Sequence, residues 1–400
     1  MTNADFIRIA DRASIAYAAA FSLSLIVTVF ATPGLAFGEQ GVIGGDFLAF
    51  YTAGTFALNG DAVTAYDLAA FDAATRERAQ IEFVGQMWQY PPALFFIVAL
   101  FALLPYKVGY LFWLGAGWIG LTFALRGIGF RGTPLRLLAL SPFCVAILSH
   151  GQIAHATAAL FFLAVYEPKK NWMLAGVAAG LLTLKPQLGL LIPFAFLAIG
   201  AWRTIAVAAA TAIVLHGLSL IAFGPAAFDA FFAAVARLDA DIAGAAAMTP
   251  PRGMTTLFGQ LKLAGFSGEA ARAGQYVFTA GLAALTFFVW RRPAPALAKA
   301  AFIGSAALLA SPYAYGYEMT LLLLAGVWVA NFAEKPTAPP ALIVIALSAL
   351  AAMRPFLPEP AGVNIAFVMA MSAFAMTLWT LFLPKEKVRG QGAPIAAGSA

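Results

Sequence analysis

Long apolar runs follow one another along the chain, separated by short clusters of proline, glycine and charged side chains. Ala13 to Thr32 is the first. Others lie at 107–125, 153–166, 172–184, 187–201, 204–223, 275–290, 297–311, 317–332, 340–353 and 363–383. Several fall short of the ~20 residues that carry a helix across a bilayer. The pattern predicts an all-α polytopic membrane protein, a single bundle of about 11–13 transmembrane helices. Arg8 and Arg12 precede the first run, and Lys169-Lys170, Arg203, Arg291-Arg292, Glu334-Lys335, Lys385, Lys387 and Arg389 mark internal segments by the positive-inside rule. The first external segment spans 34–90 and a second large one 224–274; shorter external turns fall at His150-Gly151-Gln152, Lys185-Pro186-Gln187, Ser311-Pro312-Tyr313 and Arg354-Pro355. One stretch breaks the alternation: 92–104 looks apolar enough to span, yet Arg126, Arg131 and Arg136 belong inside. Either 92–104 is a half-span or re-entrant helix, which the mutual agreement of the later loops favours, or the basic loop at 126–136 lies outside. No internal repeat of fixed period is visible. The transmembrane domain is expected over 1–384, with 385–400 as a disordered internal tail.

Composition agrees. The chain is 62% hydrophobic and only 10% charged, with a mean hydropathy of +0.85, against about 25% charged in soluble domains. The net charge of +6 sits at the ends of apolar runs, so it reports topology and not affinity for nucleic acid. The first run is long and lacks a small-residue cleavage site behind it, which predicts a signal anchor. Cys144 is the one cysteine, so no internal disulfide or structural zinc site is expected. There is no P-loop, dinucleotide fingerprint, nucleophile elbow or metalloprotease helix.

Ionisable residues near membrane depth are costly, which makes them functional candidates. Asp46 follows two glycines just after the first run, in Gly44-Gly45-Asp46-Phe47-Leu48-Ala49-Phe50-Tyr51-Thr52-Ala53-Gly54. Its carboxylate is placed either to cap a short helix whose Phe47, Phe50, Tyr51 and Gly54 face lies along the membrane surface, or to act as a general base at the mouth of a cavity. A second amphipathic piece runs from Tyr66 through Arg78, and Pro91-Pro92 forbids helix immediately before the next apolar run. His150, Gln152 and His155 concentrate hydrogen-bonding capacity in six residues, suited to sugar hydroxyls. Lys185, ahead of Pro186 and Gln187, is a cation at the external surface, against the positive-inside bias; a phosphate would suit it. Glu318 enters an apolar helix directly after Tyr313, Tyr315 and Tyr317, which interfacial placement alone could explain. Arg252, after Pro250-Pro251, offers a bidentate clamp for phosphate. Asp229, Asp239 and Asp241 are expected to be solvated on an amphipathic surface helix, and His216 to be a helix-packing donor.

These pieces occur in an order that resembles the bacterial membrane glycosyltransferases of family 87. The similarity rests on Gly45 to Ala53, Tyr90-Pro91-Pro92, Gly151-Gln152, Lys185-Pro186 and Ser311-Pro312-Tyr313, and covers roughly residues 13–330. The resemblance implies a GT-C-type bundle in the bacterial inner membrane, with its site on the periplasmic side. It implies inverting transfer of a sugar, mannose or similar, from a polyprenyl-phosphate donor to a lipid or glycan acceptor. Asp46 would be the base, Lys185 or Arg252 would meet the departing phosphate, and Tyr90, Gln152 and Tyr313 would line the sugar pocket. Tyr51, His150, His155, Gln187 and Glu318 complete the candidate set. No metal or other cofactor is implied. Departures lie at Ile153-Ala154-His155, where members often carry Asn, and at Tyr315 and Tyr317, where they carry histidine. The rival readings are a transporter or flippase of lipid-linked sugars, and a non-catalytic membrane scaffold, which would tolerate Asp46→Asn.

Overall fold

In the computed structural model, residues 3–37, 41–81, 86–244, 253–332 and 364–382 are described. Helix α1 (Asn3–Ala31) carries the first apolar run. Asp11, near its start, pairs with Arg136 at 2.6 Å, and the Thr32 carbonyl beyond its end accepts from Lys107 Nζ at 2.6 Å. The chain from Lys107 to Arg136 therefore travels the bundle opposite to α1. The basic loop at 126–136 lies at the end where the chain begins.

A two-residue ladder, β1 (Ala36–Phe37) with β2 (Gly41–Val42), leads into α2 (Phe47–Leu58). Asp67 starts α3 (Leu68–Ala79) by accepting from Ala70 N–H at 2.8 Å, and Gln80 stops it in the left-handed region. Pro91-Pro92 then delays the helix, as expected: a 3₁₀ turn at Pro92–Leu94 precedes α4 (Phe95–Ala102). Eleven residues of helix rise only about 16 Å, half a bilayer core. Residues 92–104 lie beside α2 instead of crossing: Gly54 packs on the Val98 carbonyl, and Tyr51 Oη donates to the Leu104 carbonyl at 2.8 Å. The odd parity is thereby removed. One expectation fails here. Phe47, Phe50, Tyr51 and Gly54 do not lie on a lipid surface; they are buried against α4 and α5 (Tyr106–Gly127), because the rings find aromatic partners on α5 and Gly54 packs on the α4 backbone.

Two short helices, α6 (Gly132–Ala139) and α7 (Pro142–Leu148), precede α8 (Ala154–Val165), which packs along α5. Helix α9 (Trp172–Leu181) is followed by turns at Leu182–Leu184 and Pro186–Gly189 and by α10 (Ile192–Ala198). Helix α11 (Trp202–Ala243) runs parallel to α9: Gly176 faces Thr204 and Val207, and Gly180 faces Ala208 and Thr211. The intervening chain must return to its starting level, so Lys185 sits at a reversal, as its Pro186 predicted. Small residues let these two backbones approach, as is common between membrane helices. His216 Nε2 meets Thr183 Oγ1 at 2.9 Å across this seam, the packing contact expected of it.

Gly224 (φ 76°) and Pro225 break α11 at the predicted end of its apolar run, and the helix resumes over the site end of the bundle. There α12 (Leu257–Leu263) leads into α13 (Gly268–Arg291), which descends, and α14 (Ala296–Ala310) returns. A 3₁₀ turn at Gly316–Leu322 leads into α15 (Leu323–Phe332), and α16 (Ile365–Phe382) packs on α14. Five described helices are long and apolar enough to cross a membrane, and seven shorter apolar helices lie among them. The run at 340–353, Glu334-Lys335, Arg354-Pro355 and the tail 385–400 lie outside the described residues. The segments at 34–90, His150–Gln152, Lys185–Gln187, 224–274 and Ser311–Tyr313 gather, where described, at one end.

Candidate functional site

Two loops dock backbone to backbone to form the centre of that end. Gly44 (φ 87°) and Gly45 (φ 48°) turn the chain so that the Asp46 amide donates to the His150 carbonyl at 3.0 Å. Gly151 (φ 68°) lies so near the Gly44 carbonyl that a Cβ would approach it to 2.0 Å. Helix α5 supports both loops with one face. Tyr106 donates to the Ile43 carbonyl at 2.7 Å, Tyr110 to that of Ser149 at 3.3 Å, and Trp113 Nε1 to that of Gly151 at 2.9 Å. Gln86 Nε2 donates to the Gly45 carbonyl at 2.9 Å.

This docking decides the role of Asp46. It occupies the N-cap position of α2, yet its side chain makes no capping bond. Its Oδ2 accepts from Gln152 Nε2 at 2.5 Å, and Gln152 Oε1 accepts from the Tyr90 hydroxyl at 3.2 Å. The capping alternative is set aside, because the adjoining loop supplies a better donor. Burial raises the Asp46 carboxyl above its ordinary range, against the opposing pull of the Gln152 bond and the charges of His150 and Lys185. A carboxyl whose affinity for a proton is raised is better equipped to take one.

Beside it lies a buried ion pair. Lys185 Nζ bonds Glu318 Oε1, 133 residues away in sequence, and both side chains are within 5% of full burial. Lys185 is thus not the exposed surface cation expected from its sequence; Glu318 supplies its counter-charge inside the protein. Its ammonium also stands 5.8 Å from the Tyr90 ring and 5.2 Å from that of Tyr317. Tyr317 stacks on Tyr315 at 5.9 Å and faces His150 at 6.5 Å. Among the described residues, His150 Nδ1 and the Tyr315 hydroxyl are buried without a hydrogen-bond partner, as polar groups that receive a ligand can be. Among the described residues no group of three or more His, Cys, Asp or Glu is placed to hold a metal ion.

The other candidates are placed as follows. Asp46, Tyr90, His150, Gln152, Lys185 and Glu318 come together. Tyr51 shares α2 with the site, but its hydroxyl is bound to Leu104 and its ring lies under Arg78 at 4.9 Å. His155 is buried in α8 with Nε2 2.9 Å from the Cys144 carbonyl, a helix-packing contact. Gln187 is half-buried on the turn after Lys185. Tyr313 donates to Asp239 at 2.6 Å, and Asp239 pairs with Arg272 at 2.9 Å, so this acid is tied down and not simply solvated. Arg252 lies outside the described residues. Tyr315 and Tyr317 reach the centre where Tyr313 does not, although sequence gave no way to choose among the three. Tyr106, Tyr110 and Trp113 were detectable: their spacing of four and three places them on one helical face.

No curated protein and no solved structure matches the chain. The sequence model of Glycosyltransferase family 87 matches residues 88–312, more than half of the chain. That stretch holds Tyr90, His150, Gln152 and Lys185, while Asp46 and Glu318 lie outside it and join it by direct contact. The chain belongs to glycosyltransferase family 87.

Proposed function

We propose that this membrane glycosyltransferase moves a sugar, mannose or a close relative, from a polyprenyl-phosphate donor to a lipid or glycan acceptor, with inversion at the anomeric carbon. The observation that carries the reading is Asp46: a half-buried carboxylate, uncommitted to capping, held by one oxygen and placed within a cluster of aromatic and polar side chains. Asp46 removes the proton of the acceptor hydroxyl as that oxygen attacks the anomeric carbon. The bond from that carbon to the phosphate oxygen breaks, and the phosphate carries away the electron pair. Positive charge builds on the sugar, as in glycoside hydrolysis. Lys185 supplies the nearby cation for the departing phosphate, with Glu318 as its counter-ion until the donor arrives. Tyr317 offers a ring face and His150 a hydrogen bond for the sugar. The GT-C-type architecture, the bacterial inner membrane and a periplasmic site belong to the same proposal. The first two are supported by membership of the family, and the side of the site is supported by the positive-inside pattern and the gathering of the external segments at one end.

Membranes containing wild type or Asp46→Asn, at equal protein levels, are to be supplied with radiolabelled polyprenyl-phosphate mannose. A labelled glycolipid or glycan should form with wild type and fall at least ~100-fold with Asp46→Asn, the scale of a lost general base. Equal transfer by both proteins would remove Asp46 from the reaction.

A further inference from the structure

Gln152 has both ends of its amide committed. Nε2 donates to Asp46 Oδ2 at 2.5 Å and Oε1 accepts from Tyr90 at 3.2 Å. A primary amide can flip, exchanging donor and acceptor, and only its donor end suits a carboxylate. The acceptor-only carboxylate selects that orientation, and the Tyr90 O–H, donating to the amide oxygen, holds it there. Tyr90 is itself immobilised. Its carbonyl accepts from the Tyr66 hydroxyl at 2.7 Å, and its ring packs on Phe50 and Trp88, each at 5.1 Å. Trp113 holds the peptide that precedes Gln152. Tyr90 and Trp113 thus both brace the one side chain that touches Asp46 Oδ2.

We infer that Tyr90 and Gln152 form a positioning relay for the base: Tyr90 holds the Gln152 amide, and Gln152 fixes Asp46 Oδ2, leaving Oδ1 for the acceptor hydroxyl. This rests on the reading of Asp46 as base. It gives Tyr90 and Gln152 a role different from lining the sugar pocket, with a different kinetic signature. A sugar contact acts through binding, whereas a relay acts on the geometry and basicity of Asp46.

Transfer from polyprenyl-phosphate mannose by the full-length protein should be followed against pH for wild type, Tyr90→Phe, Gln152→Leu and Asp46→Asn. The charged and titratable groups facing Asp46 are His150, Lys185, Tyr90, Tyr315 and Tyr317, with Glu318 behind Lys185. Gln152→Leu leaves all of them in place, and Tyr90→Phe keeps the ring under Lys185. Losing the amide donor makes the carboxylate harder to ionise, so the acid limb should move to higher pH. The expected move is about one pH unit in Gln152→Leu and smaller, in the same direction, in Tyr90→Phe. The maximal rate should fall roughly tenfold with donor KM changed less than about twofold.

A second readout needs no turnover. Because the folded-state pKa of Asp46 is raised, its contribution to stability is present at low pH and lost as pH rises through that value. Melting temperature against pH should show this step in wild type, at higher pH in Gln152→Leu, and not at all in Asp46→Asn. An unmoved limb and an unmoved step, or a loss confined to KM, would overturn the relay. Full activity in Asp46→Asn would instead overturn the base reading, so the two failures are distinguishable. If Gln152→Leu does not accumulate, Tyr90→Phe decides, since it removes one oxygen and keeps the packing.

Discussion

Lys185 and Glu318 show how much a single contact can decide in so apolar a chain. Removing both charges from water is costly, and their mutual bond offsets that cost only while both are present. Glu318→Gln should destabilise the protein by about 3–5 kcal/mol, measured as resistance to thermal or denaturant unfolding in detergent. The double variant Lys185→Met, Glu318→Leu should recover most of that loss while leaving no sugar transfer. A double variant as unstable as the single one would show that packing, not charge, governs the position. Each member of this pair was visible in the sequence as an ionisable residue where hydrophobic ones were expected. Their partnership was not, since the residues are 133 apart and helix period says nothing of which loop meets which. The same limit hid the difference between Tyr313, drawn off to Asp239, and Tyr315 and Tyr317, which turn inward.

At the scale of elements, hydrophobic period and proline placement located most helices: the delay at Pro91-Pro92, the reversal at Lys185-Pro186 and the break at Gly224-Pro225 all fall where the sequence indicated. The face of α2 was misjudged for a physical reason. A stripe of aromatic residues packs equally well against lipid or against other aromatic residues, and only the neighbouring helices settle which. The loop pair at Gly44–Asp46 and His150–Gln152 is the element on which the site depends. Gly151→Ala places a Cβ against the Gly44 carbonyl and strains a positive φ. Sugar transfer should fall by about 100-fold through displacement of the base, while helical content by circular dichroism stays unchanged. Retained transfer would mean that the loops need not touch.

For the whole molecule, Asp11–Arg136 and Thr32–Lys107 tie opposite ends of α1 to α6, beyond the far end of α5, and to the start of α5. Asp61, exposed at the site end, and Lys169, exposed after α8, should therefore face different sides of the membrane. With buried Cys144 replaced by alanine, Asp61→Cys and Lys169→Cys should react with a membrane-impermeant maleimide from opposite sides of sealed vesicles. Labelling of both from one side would refute the arrangement. Tyr106, Tyr110 and Trp113 of α5 grip the two docked loops by main-chain carbonyls, groups that every residue type provides. The scaffold is therefore indifferent to most of the side chains those loops display. The exposed side chain of Ser149 can be exchanged while its carbonyl keeps its place against Tyr110: a socket whose fittings can be changed without recasting it.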